Sequence, residues 1–246
     1  SLQPGSTYGT TDVNVVIDEP QTISFTGFMD NAGQKETGRL RYGAYGILRS
    51  LTKYRDILYF GGMLSQGSKN VFASYEIPEP FLNTRVGITF DYSDTEIVNG
   101  SLEPLNITGD FYGFSLYAKK PFWVKLDSVS NFKFTIATRN GANYISSAKT
   151  QTNKVDTLSL SLDNIKMFNK GYLFNMLSAT QGLTLLNGNS YFTKANYYGE
   201  GHYNLSKYFG LNLKLKGQLK VAGEIPSSEQ MQIGGVNTVK GYNEGL

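Results

Sequence analysis

The reactive side chains of this sequence form a short inventory, and that bounds its chemistry. Among 246 residues there is one His, His202, and no Cys. A serine nucleophile with a histidine base would have to use His202. That residue sits beside Tyr203 in a strand-like run with no nucleophile-elbow sequence nearby. The lack of Cys excludes a thiolate zinc site, a cysteine nucleophile and a disulfide scaffold. A single His leaves almost no room for a histidine metal cluster. Asp and Glu are numerous, so a carboxylate pair for glycoside chemistry stays open, but no spacing marks one. There is no GxGxxG, no phosphate loop ending in GK[ST] and no metal-ligand spacing. The expectation is a protein that is not an enzyme, with no cofactor and no metal.

Two cationic features remain. The first is Val239-Lys240-Gly241-Tyr242, in a Gly- and Asn-rich segment. Gly241 permits close backbone approach. Lys240 can meet a carboxylate as a point charge, more loosely than a bidentate Arg. Tyr242 offers a ring and a hydroxyl. On its residues alone the segment reads first as a solvated loop. The second feature is a set of cations at alternate positions. Lys214, Lys216 and Lys220 share one face of their segment, and Arg39, Arg41, Arg49, Arg85, Lys133 and Arg139 fall on polar faces of theirs. The plain reading of each is a wetted interior with pairing to Asp91, Asp110 and Asp156.

The segments that carry these residues have an apolar period of two. In 211–221 Leu211, Leu213, Leu215, Leu219 and Val221 point one way, and Asn212, Lys214, Lys216, Gln218 and Lys220 the other. The same alternation marks 37–49, 84–92, 132–139 and 154–163. Further candidates are 22–30, 54–65, 69–77, 109–119, 170–181 and 190–206, the last broken near Gly199–Gly201. Turn signals lie at Asp30-Asn31-Ala32-Gly33, Gln66-Gly67-Ser68, Asn99-Gly100, Asn140-Gly141 and Asn187-Gly188. The total is about eleven strands of roughly ten residues.

Composition agrees with an all-β chain. It has 27 Gly, 13% aromatic and only 17% charged residues, against roughly 25% charged in ordinary domains. The composition disfavours helical bundles and disorder. A net charge of +3 with no basic run gives no reason to expect nucleic acid. No stretch approaches the ~18 apolar residues of a transmembrane helix, and the opening SLQPGSTYGTTD has no signal-peptide pattern.

Two architectures fit: a soluble sandwich of short strands, and an outer-membrane barrel with its apolar face to lipid and its polar face to a wet lumen. Strand length, charged polar faces, aromatics near segment ends (Tyr54, Tyr59, Phe60; Tyr112, Phe114, Phe122, Trp123; Tyr197, Tyr198, Tyr208, Phe209) and scarce helix periodicity favour the barrel. A barrel closes by pairing its first and last strands. The chain stops at Glu244-Gly245-Leu246, so it is expected to be part of a longer polypeptide.

From Gly217 to Gly245 the sequence resembles the outer-membrane transporters of two-partner secretion, the haemolysin-activator type of the POTRA-barrel superfamily. The matches are Gly217-Gln218, Pro226-Ser227-Ser228-Glu229, Gly234-Gly235 and Val239-Lys240-Gly241-Tyr242, with Lys240 where the family normally has Arg. Asp30–Gly33 with Thr37-Gly38 and Arg41, Tyr75-Glu76-Ile77-Pro78, and Gly9–Val15 with Glu19-Pro20 resemble the first hairpin, an early strand end and the tail of the periplasmic POTRA domain. The resemblance implies an antiparallel transmembrane β-barrel, with about eleven of sixteen strands present in 20–246 and residues 1–19 ending the POTRA domain. It implies a monomeric outer-membrane pore in contact with lipid, which exports a large β-helical exoprotein (an adhesin, haemolysin or contact-dependent toxin). It also implies that the loop with Lys240 folds into the lumen. Alternatives are an insertase of the same superfamily and a soluble all-β binding domain.

Overall fold

A computed structural model describes residues 2–13, 21–184, 188 and 190–231. Two short strands, β1 (Leu2–Pro4) and β2 (Thr11–Val13), pair with each other apart from the main sheet. Eleven strands follow: β3 (Ile23–Asp30), β4 (Arg41–Arg49), β5 (Ile57–Leu64), β6 (Ser68–Glu79), β7 (Thr84–Glu96), β8 (Ile107–Val124), β9 (Ser128–Ile145), β10 (Ala148–Phe168), β11 (Gly171–Leu183), β12 (Phe192–Asn204) and β13 (Gly210–Gly223). Each pairs antiparallel with the next, giving one up-and-down sheet with β3 and β13 at its edges. One end of the sheet carries the connections 31–40, 65–67, 97–106 and 146–147. The other carries the turns 50–56, 80–83, 125–127, 169–170 and 205–209.

Register converts the alternation into two chemically distinct faces. Leu160 stands between Phe134 and Ala179, and Leu162 between Phe132 and Leu177. Phe134 and Ile136 then meet Ala118 and Leu116 on β8. One residue along, Ser159 stands between Thr135 and Thr180, and Ser161 between Lys133 and Ser178. Partners share a face because the pleat has period two. The apolar face is open: Leu211, Leu213 and Leu215 are 57%, 67% and 59% exposed. A sandwich would bury them, so the soluble-domain expectation falls and the transmembrane-barrel wall stands. The polar face also carries rings, with Tyr59 packed between Tyr45 and Phe72.

Several boundaries differ from the sequence reading. Strands β8, β9 and β10 run 18, 18 and 21 residues, well beyond ten. Asn140-Gly141 is not a turn. Strand β9 continues to Ile145 and reverses at Ser146 and Ser147, whose φ values of 48° and 69° suit a two-residue hairpin. Gly141 lies within the strand because β8 comes close: a Cβ there would stand 3.2 Å from the Asp110 carbonyl and 3.4 Å from the Phe111 ring. Strand β12 is unbroken at Gly199–Gly201, paired on both sides. Residues 37–40 form a loop, not the start of a strand. Arg39 therefore sits on a bend, outside the polar-face set, its carbonyl accepting the Gly33 N–H at 2.8 Å.

That loop explains the hairpin motif. Arg41 grips Asp30 with two bonds of 2.8 and 2.9 Å. Thr37 accepts the Gly67 N–H and the Ser65 hydroxyl, and Glu36 accepts the N–H groups of Val98 and Asn99. Three loops are thus laced across one end. Gly38 (φ 99°) makes the tight turn beside Gln66.

A charge on the apolar face costs about 2–4 kcal/mol at mid-bilayer. Leu160→Arg is expected to reduce the folded, heat-modifiable fraction in membranes strongly. Ser161→Asp, on the opposite face beside Lys133, should leave it near wild type.

Candidate functional site

At the end of β13 the chain turns back over the polar face. Gly223 (φ 67°) makes this turn, and a Cβ there would collide with the carbonyl of Tyr191. Pro226 (φ −56°, ψ 150°) leads into a 3-10 turn, Ser227–Glu229, closed by the Glu229 N–H on the Pro226 carbonyl at 2.8 Å. The turn delivers Glu229 into the wall, where it is 6% exposed.

Three strands supply its partners. Lys194 of β12, equally buried, contacts the Glu229 carboxylate at 2.8 Å and its carbonyl at 2.5 Å. Arg139 of β9 holds the other carboxylate oxygen. Gln218 of β13 donates to the Glu229 carbonyl at 3.0 Å and to Asn196 at 2.9 Å, and accepts the Met231 N–H at 3.1 Å. Burial pushes the Glu229 carboxyl up, but Arg139 and Lys194 outweigh it and hold the group below its ordinary 4.5. A buried carboxylate needs such partners, and removing one of them typically costs about 3–5 kcal/mol. Chemically, the arrangement is a clamp: two cations and an amide fasten the segment after β13 across the inner surface of β9, β12 and β13. Beside it, Ser227 and Ser228 border a groove of about 310 Å³ whose far wall includes Ser93, Gly141 and Asn143.

Of the motif residues, the structure brings Gln218 and Glu229 together, and Pro226 shapes the turn. Ser228 lies on the groove. Gly217 has the opposite parity, and nothing lies within 4 Å of where its Cβ would be. Gly234, Gly235, Val239, Lys240, Gly241 and Tyr242 lie outside the described residues. Among the cations, Arg41, Arg85, Lys133, Arg139, Lys214, Lys216 and Lys220 share the polar face. Their partners are not the three aspartates expected. Arg85 pairs with Glu76, which also accepts the Tyr117 hydroxyl at 2.8 Å. Lys133 lies 4.2 Å over the Tyr117 ring. Lys214 stands 3.8 Å from Glu200, and Lys216 lies over Tyr198. Lys220 borders the docked segment beside Glu224 and Gln230. Lys194 was missed by the sequence reading. Its only signal was polar parity within 190–206, and nothing local points to a partner 35 residues on.

Residues 9–246 match the family described as haemolysin secretion/activation protein ShlB/FhaC/HecB. The chain is 24% identical over 268 residues to the heme/hemopexin transporter protein HuxB of Haemophilus influenzae, covering 99% of this chain and 46% of HuxB. Among solved structures, CdiB from Escherichia coli superposes with a TM-score of 0.79 at 19% identity, over 99% of this chain and 48% of that one. CdiB from Acinetobacter baumannii gives 0.72 at 14% identity, over 91% and 43%. BamA from Haemophilus ducreyi, lacking POTRA domains 1-3, gives 0.63 at 15% identity, over 92% and 47%. The chain thus spans about half the length of the relatives it matches, and the fold it shares with these structures is that of a β-barrel wall.

Because the Glu229 pKa is lowered, ionised Glu229 holds the segment in full above its ordinary 4.5 and loses that hold only as pH falls further, through the lowered value. The chain has no Cys, so Ser228→Cys gives a single labelling site. A nitroxide attached there at neutral pH should report an ordered segment down to about pH 4.5 and mobilise only at lower pH. With Glu229→Gln added, the label should be mobile throughout and show no such transition.

Proposed function

The chain belongs to the haemolysin secretion/activation protein family, and we propose that it forms wall and inner loop of an outer-membrane pore. That pore exports a large β-helical exoprotein by two-partner secretion in a Gram-negative-type bacterium. The observation that carries this reading is the docking of Glu229 on the polar face of a sheet whose other face is apolar and open. An inward-folded segment has room only where the polar face surrounds an aqueous bore.

Residues 1–19 are assigned to the end of the periplasmic POTRA domain, supported by the pairing of β1 with β2 apart from the main sheet. The end with turns 50–56, 80–83, 125–127, 169–170 and 205–209 then faces the periplasm, and the laced loops face outward. One monomer forms the pore, with lipid around it. The polar-face cations line the lumen, and the clamp at Glu229 starts the inward course of the loop that carries Val239–Tyr242. Lys240 is assigned the role of a latch to a lumenal carboxylate. The insertase reading is supported only by the likeness to BamA, which concerns the fold.

The test is export of the cognate exoprotein in cells with the gene, without it, and with Lys240→Ala. Export should need the gene and drop at least about tenfold in the variant, the loss of roughly one charge-assisted contact. Unchanged export with Lys240→Ala removes the latch. Normal export without the gene, together with failed assembly of other barrels, replaces the transporter by the insertase.

A further inference from the structure

Charged side chains enter the apolar face at both of its ends: Lys69 stands opposite Asp94 at the laced-loop end, and a second group lies at the other. Near the periplasmic turns of β8, β9 and β10, Lys166 stands opposite Ser128 and Asn164 opposite Ser130, and Ser130 stands opposite Trp123. Lys125, in the turn after β8, donates its N–H to the Ser128 carbonyl at 2.7 Å. Along β10 the side chains of Leu160, Leu162, Asn164, Lys166 and Phe168 share parity. The lysine and the polar pad therefore lie on the hydrocarbon side, not in the lumen.

The pad is ordered internally. The Asn164 amide donates to the Ser128 hydroxyl at 3.1 Å and the Ser130 hydroxyl at 2.8 Å. The Ser128 hydroxyl keeps its own proton to donate outward, while the buried Ser130 orders the pad from within. The two ammonium groups rest on aromatic faces, Lys125 at 4.8 Å from Trp123 and Lys166 at 5.6 Å from Phe168. Towards mid-sheet Lys120 stands opposite Phe132 and Phe122 packs on Phe132 at 4.4 Å; beyond them the surface is apolar, with Phe134 and Leu160. Lys120 and Lys170 lie nearby, and Asp127 in the 125–127 turn is the local countercharge; Asp163 has the opposite parity.

We propose that Lys125 and Lys166, with Ser128, Ser130 and Asn164, form a site for an anionic phospholipid. The two ammonium groups and the Ser128 hydroxyl converge on the phosphate, and the acyl chains lie along Phe132, Phe134 and Leu160. Cations on an outward face are costly in hydrocarbon but favourable at the headgroup layer, where Trp and Lys sit together. The inference rests on the transmembrane-barrel reading and is independent of what the pore exports.

The test is native mass spectrometry of the full-length protein in detergent doped with phosphatidylglycerol or phosphatidylcholine, with and without inorganic phosphate. Wild type should retain phosphatidylglycerol in preference to phosphatidylcholine, and free phosphate should not displace it. Lys125→Gln/Lys166→Gln should lose about thirtyfold in retained phosphatidylglycerol, in line with two surface lysines near anionic lipid. Lys214→Gln/Lys216→Gln, which removes the same charge from the polar face, should retain it. Heat-modifiability verifies assembly, and Lys125→Arg/Lys166→Arg should bind like wild type if the glutamine pair fails to assemble. Equal retention of both lipids by wild type, equal loss in both glutamine pairs, or displacement by free phosphate overturns the site. Such a result with exoprotein export intact leaves the pore standing.

Discussion

Hydrocarbon offers no partner to a backbone N–H or C=O, so a chain that crosses it in strands must pair every strand with its neighbours. The unbroken order from β3 to β13 answers that constraint. Once the backbone is paired, the side chains have only two directions, and a slip of one residue would exchange them all. Irregularities in register accordingly fall near strand ends, at Lys149/Gln151, Pro121/Trp123 and Thr193/Lys194. There a reversal of parity no longer places a charge in the apolar zone.

The same rule concentrates charge on the other face and leaves each carboxylate to find a partner there. Most do so locally. Asp30 meets Arg41 across one hairpin, Glu76 meets Arg85 across another, and Glu200 takes the hydroxyls of Tyr172 and Tyr198 with Lys214 nearby. Glu229 differs. Its partners lie 35 and 90 residues back in the chain, so its ion pairs tie a non-strand segment to two strands of the wall, β9 and β12. A buried Lys194 without Glu229 would be costly, and a buried Glu229 without its cations would be equally so. The docked course of the chain after β13 is thus the arrangement that satisfies all three.

The strand pattern was legible because period two leaves a direct trace in the sequence, clearest in 154–163 and 211–221. Ends were read less well. Asn140-Gly141 carries the residue types of a turn, yet Gly141 serves close approach of β8 within a strand. At Gly199–Gly201 the strand stays paired despite two glycines. Arg39 was placed by alternation in a segment that the laced loops hold in another shape. At the site, Gln218, Pro226 and Glu229 were visible as motif residues, and Arg139 as a polar-face cation. Their meeting was not visible, since it depends on the inward turn at Gly223 and on Lys194, whose partner is set by the three-dimensional course alone.

The most direct test of the account is accessibility along one central strand. The chain lacks cysteine, so single cysteines at 158 to 163 can be probed one at a time in native membranes with a water-soluble thiol reagent. Labelling at 159, 161 and 163 with protection at 158, 160 and 162 is the result expected of an aqueous bore behind an apolar outer wall. Equal labelling at all six positions, or the opposite alternation, would contradict it.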